Sequence, residues 1–452
     1  MSSLSSGGGR VPEPGGNSRS RAWAAVRRAT GESLLRNGLY IMGTTAVTSL
    51  LGFGFWLIAA RVLPAIYVGR AAALVSAMLF VAVITNLGLG QVLVSRLSSR
   101  ASGREWSLTV TTGLLATALA SLAGGLLAAA VLPILVPELK GQIGLGAFLI
   151  LPLGVAAIAS SLVLDFACIA ERQAKPSFLR NAAAALIRLA LVGGAAIGPL
   201  DNAAWLISIW VGSFLLIDAH GVVRMLPALG RGYRPTLNGW RGELAEIRRL
   251  IAGHQTINLG SQAPAYLLPV IVSARLGPTE NAFFYTTFML ANGLFFVAPA
   301  IGNSLFAEGS HHPGHLRRDL GRAARYIIAL GGPLALFLLL LGPTLLGLFG
   351  DQYAEAGTGL LYVLVASAPL DAGYQLAIAL LRARGRLGNA AAATWALLIV
   401  SVGSAWLLLP PLGLVGAGVG WGIGKASGLI VALALLRWPL RNATDRARRA
   451  PI

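Results

Sequence analysis

Two basic side chains lie far inside long apolar stretches, where a charge is costly to hold. Lys425 lies about 13 residues into the last of twelve such stretches, residues 412–436. Arg188 lies two turns into the fifth, residues 181–199. A cation near the middle of a bilayer costs about 2.5–3.5 kcal/mol on insertion scales, so it should face protein or water. Either cation could bind phosphate or form a structural salt bridge. For Lys425 the expected acidic partner is Asp371; for Arg188 we favour a pair with Asp165.

Further polar residues mark other candidate faces. Asp371 and Gln375, one turn apart, form a polar face of the tenth stretch that could titrate with a coupling proton or be structural. Asn86 is a polar point in the second stretch that could line a cavity or bond between helices. The start of the seventh stretch carries polar residues at spacings of three or four, namely His254, Gln255, Asn258 and Gln262. Because a row of polar groups in contact with lipid is energetically unfavourable, we expect this stripe to line a cavity.

Apolar stretches long enough to cross a bilayer dominate the chain. Of its 452 residues 56% are hydrophobic and 12% are charged, whereas soluble domains carry about twice that charged fraction. The stretches do not alternate as β-barrel strands would. The sequence therefore predicts an all-α integral membrane protein with twelve spans. These spans lie near 39–60, 69–94, 107–135, 142–170, 181–199, 203–223, 251–274, 281–306, 324–349, 357–381, 388–409 and 412–436.

The positive charge is distributed unevenly between the two sides of these spans. With the N-terminus inside, 30 of the 36 Lys and Arg residues fall on the cytoplasmic side and four on the opposite side. This asymmetry follows the positive-inside rule, so the net charge of +19 indicates membrane anchoring rather than a nucleic-acid partner. We predict a multi-pass protein of the cytoplasmic membrane with both termini cytoplasmic. Most of residues 1–38 should be disordered, and residues 438–452 should form a basic tail.

The segments between the spans carry no enzyme machinery that the sequence reveals. No GxxxxGK[ST] phosphate loop occurs. The single cysteine, Cys168, allows no intrachain disulfide and no thiolate metal cluster. We therefore predict no cofactor, no metal and no catalytic residue. A membrane glycan polymerase or glycosyltransferase is a weaker alternative, because the outer loops are short and the acids are scattered.

The two halves of the chain resemble each other on either side of a polar loop with six arginines and two glutamates, residues 224–249. Residues 60–64 (ARVLP) match 274–278 (ARLGP) at an offset of 214. Leu-Asp at 164–165 recurs at 370–371, and Asn with four alanines at 181–185 recurs at 389–393. Six spans separate the copies, so both have the same orientation, as in parallel-repeat transporters. This predicts two six-helix lobes, 39–223 and 251–437, joined by a linker at 224–250 and enclosing a central cavity.

Motifs spread over the chain resemble a known superfamily. They are residues 37–40 (NGLY), 43–64 (GTTAVTSLLGFGFWLIAARVLP), 86–90 (NLGLG), 348–354 (LFGDQYA) and 380–385 (LLRARG). From about residue 37 to 437 the chain resembles the Wzx-type polysaccharide-biosynthesis flippases of the MOP (multidrug/oligosaccharidyl-lipid/polysaccharide) exporter superfamily. The resemblance implies a MATE-like fold and translocation of a lipid-linked oligosaccharide or polysaccharide precursor by alternating access. It also implies membrane lipids and glycan-assembly enzymes as partners.

The first span distinguishes branches of this superfamily. Lipid II flippases of the MurJ type carry arginines and an acid there, and MATE cation exporters commonly carry an acid. Residues 49–56 of this chain contain no charge. This absence favours the Wzx-like branch. The main alternative is a MATE-like secondary exporter of small amphiphiles, and a scramblase without energetic coupling is a third.

Overall fold

The computed structural model is built of α-helices, and the residues that it describes contain no β-strand. The predicted all-α class is confirmed. The described residues are 18–86, 89–100, 103–136, 145–195, 203–229, 232–250, 255–311 and 316–437.

Sixteen helices follow one another along the described residues, and each predicted span coincides with one helix or with a consecutive pair. A π-helical turn, Gly221–Met225, joins the seventh helix to the eighth. The helices are α1 (Ser18–Val62), α2 (Ala65–Asn86), α3 (Leu89–Ser99), α4 (Gly103–Leu135), α5 (Leu145–Ala170), α6 (Ala174–Ala195), α7 (Ala203–His220), α8 (Leu226–Ala228), α9 (Trp240–Leu250), α10 (Gln255–Leu276), α11 (Pro278–Phe295), α12 (Val297–His311), α13 (Leu316–Gly347), α14 (Asp351–Ala383), α15 (Leu387–Leu412) and α16 (Leu414–Arg437).

The first helix begins earlier than the sequence predicted. Most of residues 1–38 were expected to be disordered, but α1 already begins at Ser18. The segment 21–29 consists mainly of alanine and arginine, which rank among the better helix formers, so the first span continues backwards as helix. Residues 1–17 and the predicted basic tail, 438–452, lie outside the described residues.

Most of the long helices are apolar enough to cross a membrane. Ten described helical segments meet that requirement by length and composition. The helices of the fifth and seventh predicted spans, α6 and α10, have 22 residues each but are not among the ten. They are also the spans that carry Arg188 and the polar stripe. The two most polar spans therefore need protein or water on at least one face.

The eighth predicted span is divided into two helices, α11 and α12, which meet at Phe296. Pro299 has no backbone N–H and cannot continue the hydrogen bonding of α11.

Buried apolar side chains show where the halves meet. One large cluster contains residues of both halves, such as Phe55 and Phe283. Smaller clusters contain only the first half with its linker, such as Trp106, or only the second half, such as Ile378. We call the end with the shared cluster the closed end and the opposite end, where most arginines lie, the basic end. The halves thus meet at the closed end and keep separate cores at the basic end.

Close backbone contacts hold the closed end together. Gly69 of α2 lies against the start of α11, where an added Cβ would be 1.7 Å from the carbonyl oxygen of Pro278. Asn281 Nδ2 donates a hydrogen bond to the Gly69 carbonyl at 2.8 Å. Arg61, at the end of α1, donates to the Gly347 carbonyl at 3.0 Å. Only a residue without a side chain permits the first of these contacts.

The linker between the halves packs on the first half. Its helix α9 inserts Ile247 into the apolar cluster at the basic end. Glu243 of α9 is 3.1 Å from Arg96 and also pairs with Arg100. These contacts anchor α9 to α3 and α4.

Candidate functional site

Arg188 lies on α6 with its guanidinium group over aromatic rings of the next helix. The guanidinium carbon is 5.0 Å from the centre of Trp210 and 4.8 Å from that of Phe214, both on α7. Its Nε donates to the Ala184 carbonyl at 3.3 Å within the same helix. Within the described part of the chain, no carboxylate forms a salt bridge with it. Arg188 is therefore a half-buried cation held by π-faces rather than by an opposite charge.

Aromatic residues of the second half complete the surroundings of Arg188. Tyr285 of α11 lies near Arg188, and its ring centre is 4.9 Å from that of Trp56 on α1. Tyr266 of α10 lies near Tyr285 in turn. The Arg188 cluster, as we call it, therefore joins helices of both halves. It consists of Trp56, Arg188, Trp210, Phe214, Tyr266 and Tyr285.

The Arg188 cluster lies just inside the closed end. Trp56 precedes the end of α1 by six residues, and Trp210 and Tyr285 follow the starts of α7 and α11 by seven. At a helical rise of 1.5 Å per residue, these side chains lie about 10 Å along the helix axes from the helix ends at the closed end. The cluster therefore occupies the narrow end of the space between the halves.

The polar stripe of α10 leads toward the Arg188 cluster. Asn258 is half-buried and Gln262 is exposed, and Tyr266 follows at the same spacing of four. Residues four apart share a helix face, so the stripe continues into the cluster. His254 lies outside the described residues, as does the side chain of Gln255. That this face lines a cavity stays a prediction, now with a tyrosine at its inner end.

The pair expected between Arg188 and Asp165 does not form, and that prediction is wrong. Arg180 binds Asp165 instead, at 2.8 Å, and also pairs with Asp218. Its Nη2 donates a further hydrogen bond to the Ser161 carbonyl at 2.9 Å. Asp165 lies near the basic end of α5, and Arg180 lies one turn and a half into α6 from that same end. Arg188 is two turns deeper, beyond the reach of this carboxylate.

Loss of the Arg180 side chain should destabilise the first half strongly. In Arg180→Ala the buried Asp218 and the half-buried Asp165 would remain without their shared cation, and breaking a buried pair in this way typically costs about 3–5 kcal/mol. We expect a lower yield of monodisperse protein and a lower thermal unfolding midpoint. In the double variant Arg180→Ala, Asp218→Asn one charge is removed, so part of the loss should be recovered. An unchanged midpoint in the single variant would refute a structural role for this cluster.

Lys425 forms the buried salt bridge that was one of its two expected roles. Its Nζ is 2.7 Å from Asp371, and the two side chains are 5% and 2% exposed. The ammonium group also lies 4.4 Å from the centre of the Trp421 ring. Gln375 Nε2 donates to the same carboxylate at 3.4 Å. Lys425 and Asp371 therefore neutralise each other within the second half.

The two buried charge clusters lie at equivalent positions in the repeat. Asp371 follows Asp165 by 206 residues, and Lys425 follows Asp218 by 207. Each half therefore links its fourth span to its sixth through charged side chains: directly in the second half, and through Arg180 in the first. Because the first half has a carboxylate where the second has Lys425, it needs Arg180 of its fifth span as a bridge. This correspondence supports the parallel repeat.

The salt bridge in the second half makes a rescue experiment possible. Lys425→Met should lower the yield and the unfolding midpoint, because Asp371 would keep a buried charge without a partner. The double variant Lys425→Met, Asp371→Leu should regain most of both, since it buries neither charge. Yield and midpoint are measured for the two variants side by side. A transport role for Lys425 itself would instead leave the double variant folded but inactive.

Asn86 does not belong to the Arg188 cluster. It ends α2 and is buried, and its Nδ2 has no hydrogen-bond partner among the described residues.

Sequence reasoning missed the aromatic members of the Arg188 cluster. One signal was present: Trp210 and Phe214 lie one turn apart on the helix that follows Arg188. Their spacing places both rings on one face of α7.

Comparison with known proteins identifies the fold. No protein-family model and no curated protein sequence matches the chain. A structure of the lipid II flippase MurJ in an inward closed conformation has a TM-score of 0.69 at 13% identity, covering 89% of this chain and 88% of that one. An inward-facing multidrug resistance MATE transporter of the MOP superfamily has 0.65 at 17%, covering 86% and 94%. An outward-facing MATE structure has 0.58 at 16%, covering 90% and 94%.

These similarities extend over most of the chain and include both halves. The chain has the helical fold of MATE and MurJ transporters, as the sequence resemblance implied.

Proposed function

We propose that this protein moves a lipid-linked oligosaccharide or polysaccharide precursor across the cytoplasmic membrane by alternating access. The observation that carries the proposal is the Arg188 cluster. It holds a cation without a carboxylate partner in the described structure, inside the membrane and between the halves. Such a cation suits a substrate that brings its own negative charge.

The chemistry of the cluster fits a phosphate-linked sugar. A guanidinium group is always charged and binds phosphate oxygens through two parallel hydrogen bonds. Tyrosine and tryptophan present an apolar face together with a polar group, which suits the two kinds of surface on a sugar ring. The stripe of Asn258 and Gln262 adds hydrogen-bonding groups on the path from the basic end. The lipid tail would remain in the bilayer.

The arrangement of the halves supports alternating access. They meet at the closed end, and their cores are separate at the basic end. If the basic end is cytoplasmic, as the positive-inside rule predicts, the conformation is open toward the inner leaflet. Substrate would enter there, and release would require the contacts around Gly69 to separate.

A MATE-like exporter of small amphiphiles is the second candidate, favoured by the similarity to MATE structures. An organic cation is a poor substrate for the observed cluster, because Arg188 would repel it at close range. The uncharged segment 49–56 supplies no acid to offset that repulsion. An anionic or neutral amphiphile would meet neither obstacle.

Deletion of the gene separates the two candidates. Loss of a flippase should cause lipid-linked sugars to accumulate on the inner leaflet and surface glycan to fall. These lipids are measured by extraction and mass spectrometry. Normal surface glycan together with altered drug tolerance would reject the flippase proposal in favour of the exporter.

A further inference from the structure

A cavity of about 590 Å³ lies between α6 and the end of α7 with the turn that follows it. It is on the other side of α6 from the Arg188 cluster. Leu179, which lines the cavity, and Arg188 are nine residues apart, and nine steps of 100° place them on opposite faces. The cavity is therefore separate from the space between the halves and faces outward from the first half.

The outward face of this region is apolar. Leu179, Ala183 and Ile217 line the cavity. Leu179 is 54% exposed, as is Leu186 two turns further along α6. In a helix that crosses a membrane, exposed leucines on an outward face contact lipid chains rather than water. The cavity thus opens toward the bilayer.

Basic side chains lie at the end of the cavity that is nearest the basic end of the molecule. Lys175, His220 and Arg224 line it there, and all three are exposed. None of the three has a hydrogen-bond or ion-pair partner in the described part of the chain. Arg180 also lines the cavity, but its guanidinium group is occupied by Asp165 and Asp218. The cavity therefore combines unpaired cations at one end with an apolar wall at the other.

We propose that this cavity binds an anionic phospholipid of the surrounding membrane. The phosphate of the headgroup lies between Lys175 and Arg224, and an acyl chain lies over Leu179, Ala183 and Ile217. A headgroup with net negative charge satisfies the unpaired cations, whereas a zwitterionic headgroup adds a cation of its own. The proposal does not depend on the transported substrate, because the cavity lies on the far side of α6.

The position of the cavity gives the lipid a structural effect. Lys175 lies at the start of α6, and Arg224 lies in the π-helical turn after α7. A phosphate between them links these two segments beside the buried side chain of Arg180, which lines the same cavity. Bound lipid should therefore stabilise the first half against thermal unfolding.

The test uses the full chain in detergent, titrated with phosphatidylglycerol or phosphatidylcholine and followed by native mass spectrometry and thermal unfolding. We expect preferential binding and stabilisation by phosphatidylglycerol. The variant Lys175→Ala, Arg224→Ala should bind it about tenfold more weakly, the change that about 1.4 kcal/mol produces. Ala183→Phe should also weaken binding, because it fills the apolar part and leaves every charge in place.

The control variant is Arg234→Ala, Arg241→Ala, which removes two exposed arginines of the linker outside the cavity. It should bind phosphatidylglycerol like the wild type. Equal losses in the control and the cavity variant would overturn the proposal in favour of general surface charge. Unchanged binding in the cavity variant would also overturn it. Stabilisation by inorganic phosphate alone, to the same extent, would show an anion site rather than a lipid site.

Discussion

Replacing Arg188 with alanine is expected to remove most of the affinity for a lipid-linked diphosphate and to leave the fold intact. Hydrogen bonds to charged groups contribute about 1.5–3 kcal/mol, which corresponds to a loss of about 10- to 100-fold. Because no carboxylate is paired with Arg188 in the described structure, its removal leaves no buried charge behind. Trp210 lies against the guanidinium group, so its fluorescence can report binding of a polyprenyl diphosphate sugar.

A matched control exists in Arg275. Its guanidinium group also lies over a tryptophan, at 4.5 Å from the centre of Trp406, but it is exposed near the end of α10. Arg275→Ala should bind the diphosphate like the wild type. Arg188→Lys should bind with intermediate affinity, since it keeps the charge and loses the paired hydrogen bonds. Wild-type affinity in Arg188→Ala would remove this residue from the substrate site.

The second large effect is expected at the closed end, where Gly69→Val should prevent the halves from meeting. A Cβ at this position would be 1.7 Å from the Pro278 oxygen and 2.9 Å from the Ala282 nitrogen, and both are backbone atoms. Rotating a side chain cannot relieve these overlaps, so α2 and α11 must separate. The variant should fold but stop transporting, because one of the two alternating conformations is no longer accessible.

Cysteine labelling can detect this separation. The only native cysteine, Cys168, is buried and can be replaced by alanine. In that background Tyr285→Cys should be shielded from an impermeant thiol reagent added on the closed-end side. Adding Gly69→Val should expose it to the reagent. Gly52→Val is the control, because a Cβ there meets nothing within 4 Å. Continued shielding in the Gly69 variant would argue against a gate at this position.

Apolar length and charge were enough to predict the all-α membrane class and the positions of the spans, and the family resemblance implied the MATE-like fold. Each predicted span contains helix because apolar length and flanking arginines constrain a membrane chain strongly. The repeat also identified Asp165 and Asp371 as equivalent positions. The partner of Lys425 could be named because both charges lie deep in adjoining parts of the second half. Asp371 is indeed that partner.

The contents of the candidate site could not be predicted in the same way. Whether Asp165 binds Arg180 or Arg188 depends on how far α5 and α6 are shifted along each other, which sequence spacing does not specify. The Arg188 cluster also needs rings from both halves, and only the contact at the closed end brings Trp56 and Tyr285 together. Aromatic residues in membrane helices are common, so their types alone carried no signal.

The rotation of α10 was similarly hidden from the sequence. An added Cβ at Gly260 would lie 2.7 Å from the Thr394 hydroxyl, so this face of α10 is held against α15. That contact directs Asn258 and Gln262 elsewhere, together with Tyr266. The polar stripe could be recognised from its spacing in the sequence. Its continuation into the Arg188 cluster could be recognised only from the packing of α10 against α15.

The most direct test of the central claim, that a lipid-linked glycan passes Arg188 between the halves, is transport in proteoliposomes. A fluorescent polyprenyl diphosphate sugar is placed in one leaflet, and its appearance in the other is measured by quenching. The wild type and Arg275→Ala should move it, whereas Arg188→Ala and Gly69→Val should not. The claim would be contradicted if Arg188→Ala moved the lipid as fast as the wild type. It would also be contradicted if the wild type moved a small organic cation and left the lipid-linked sugar in place.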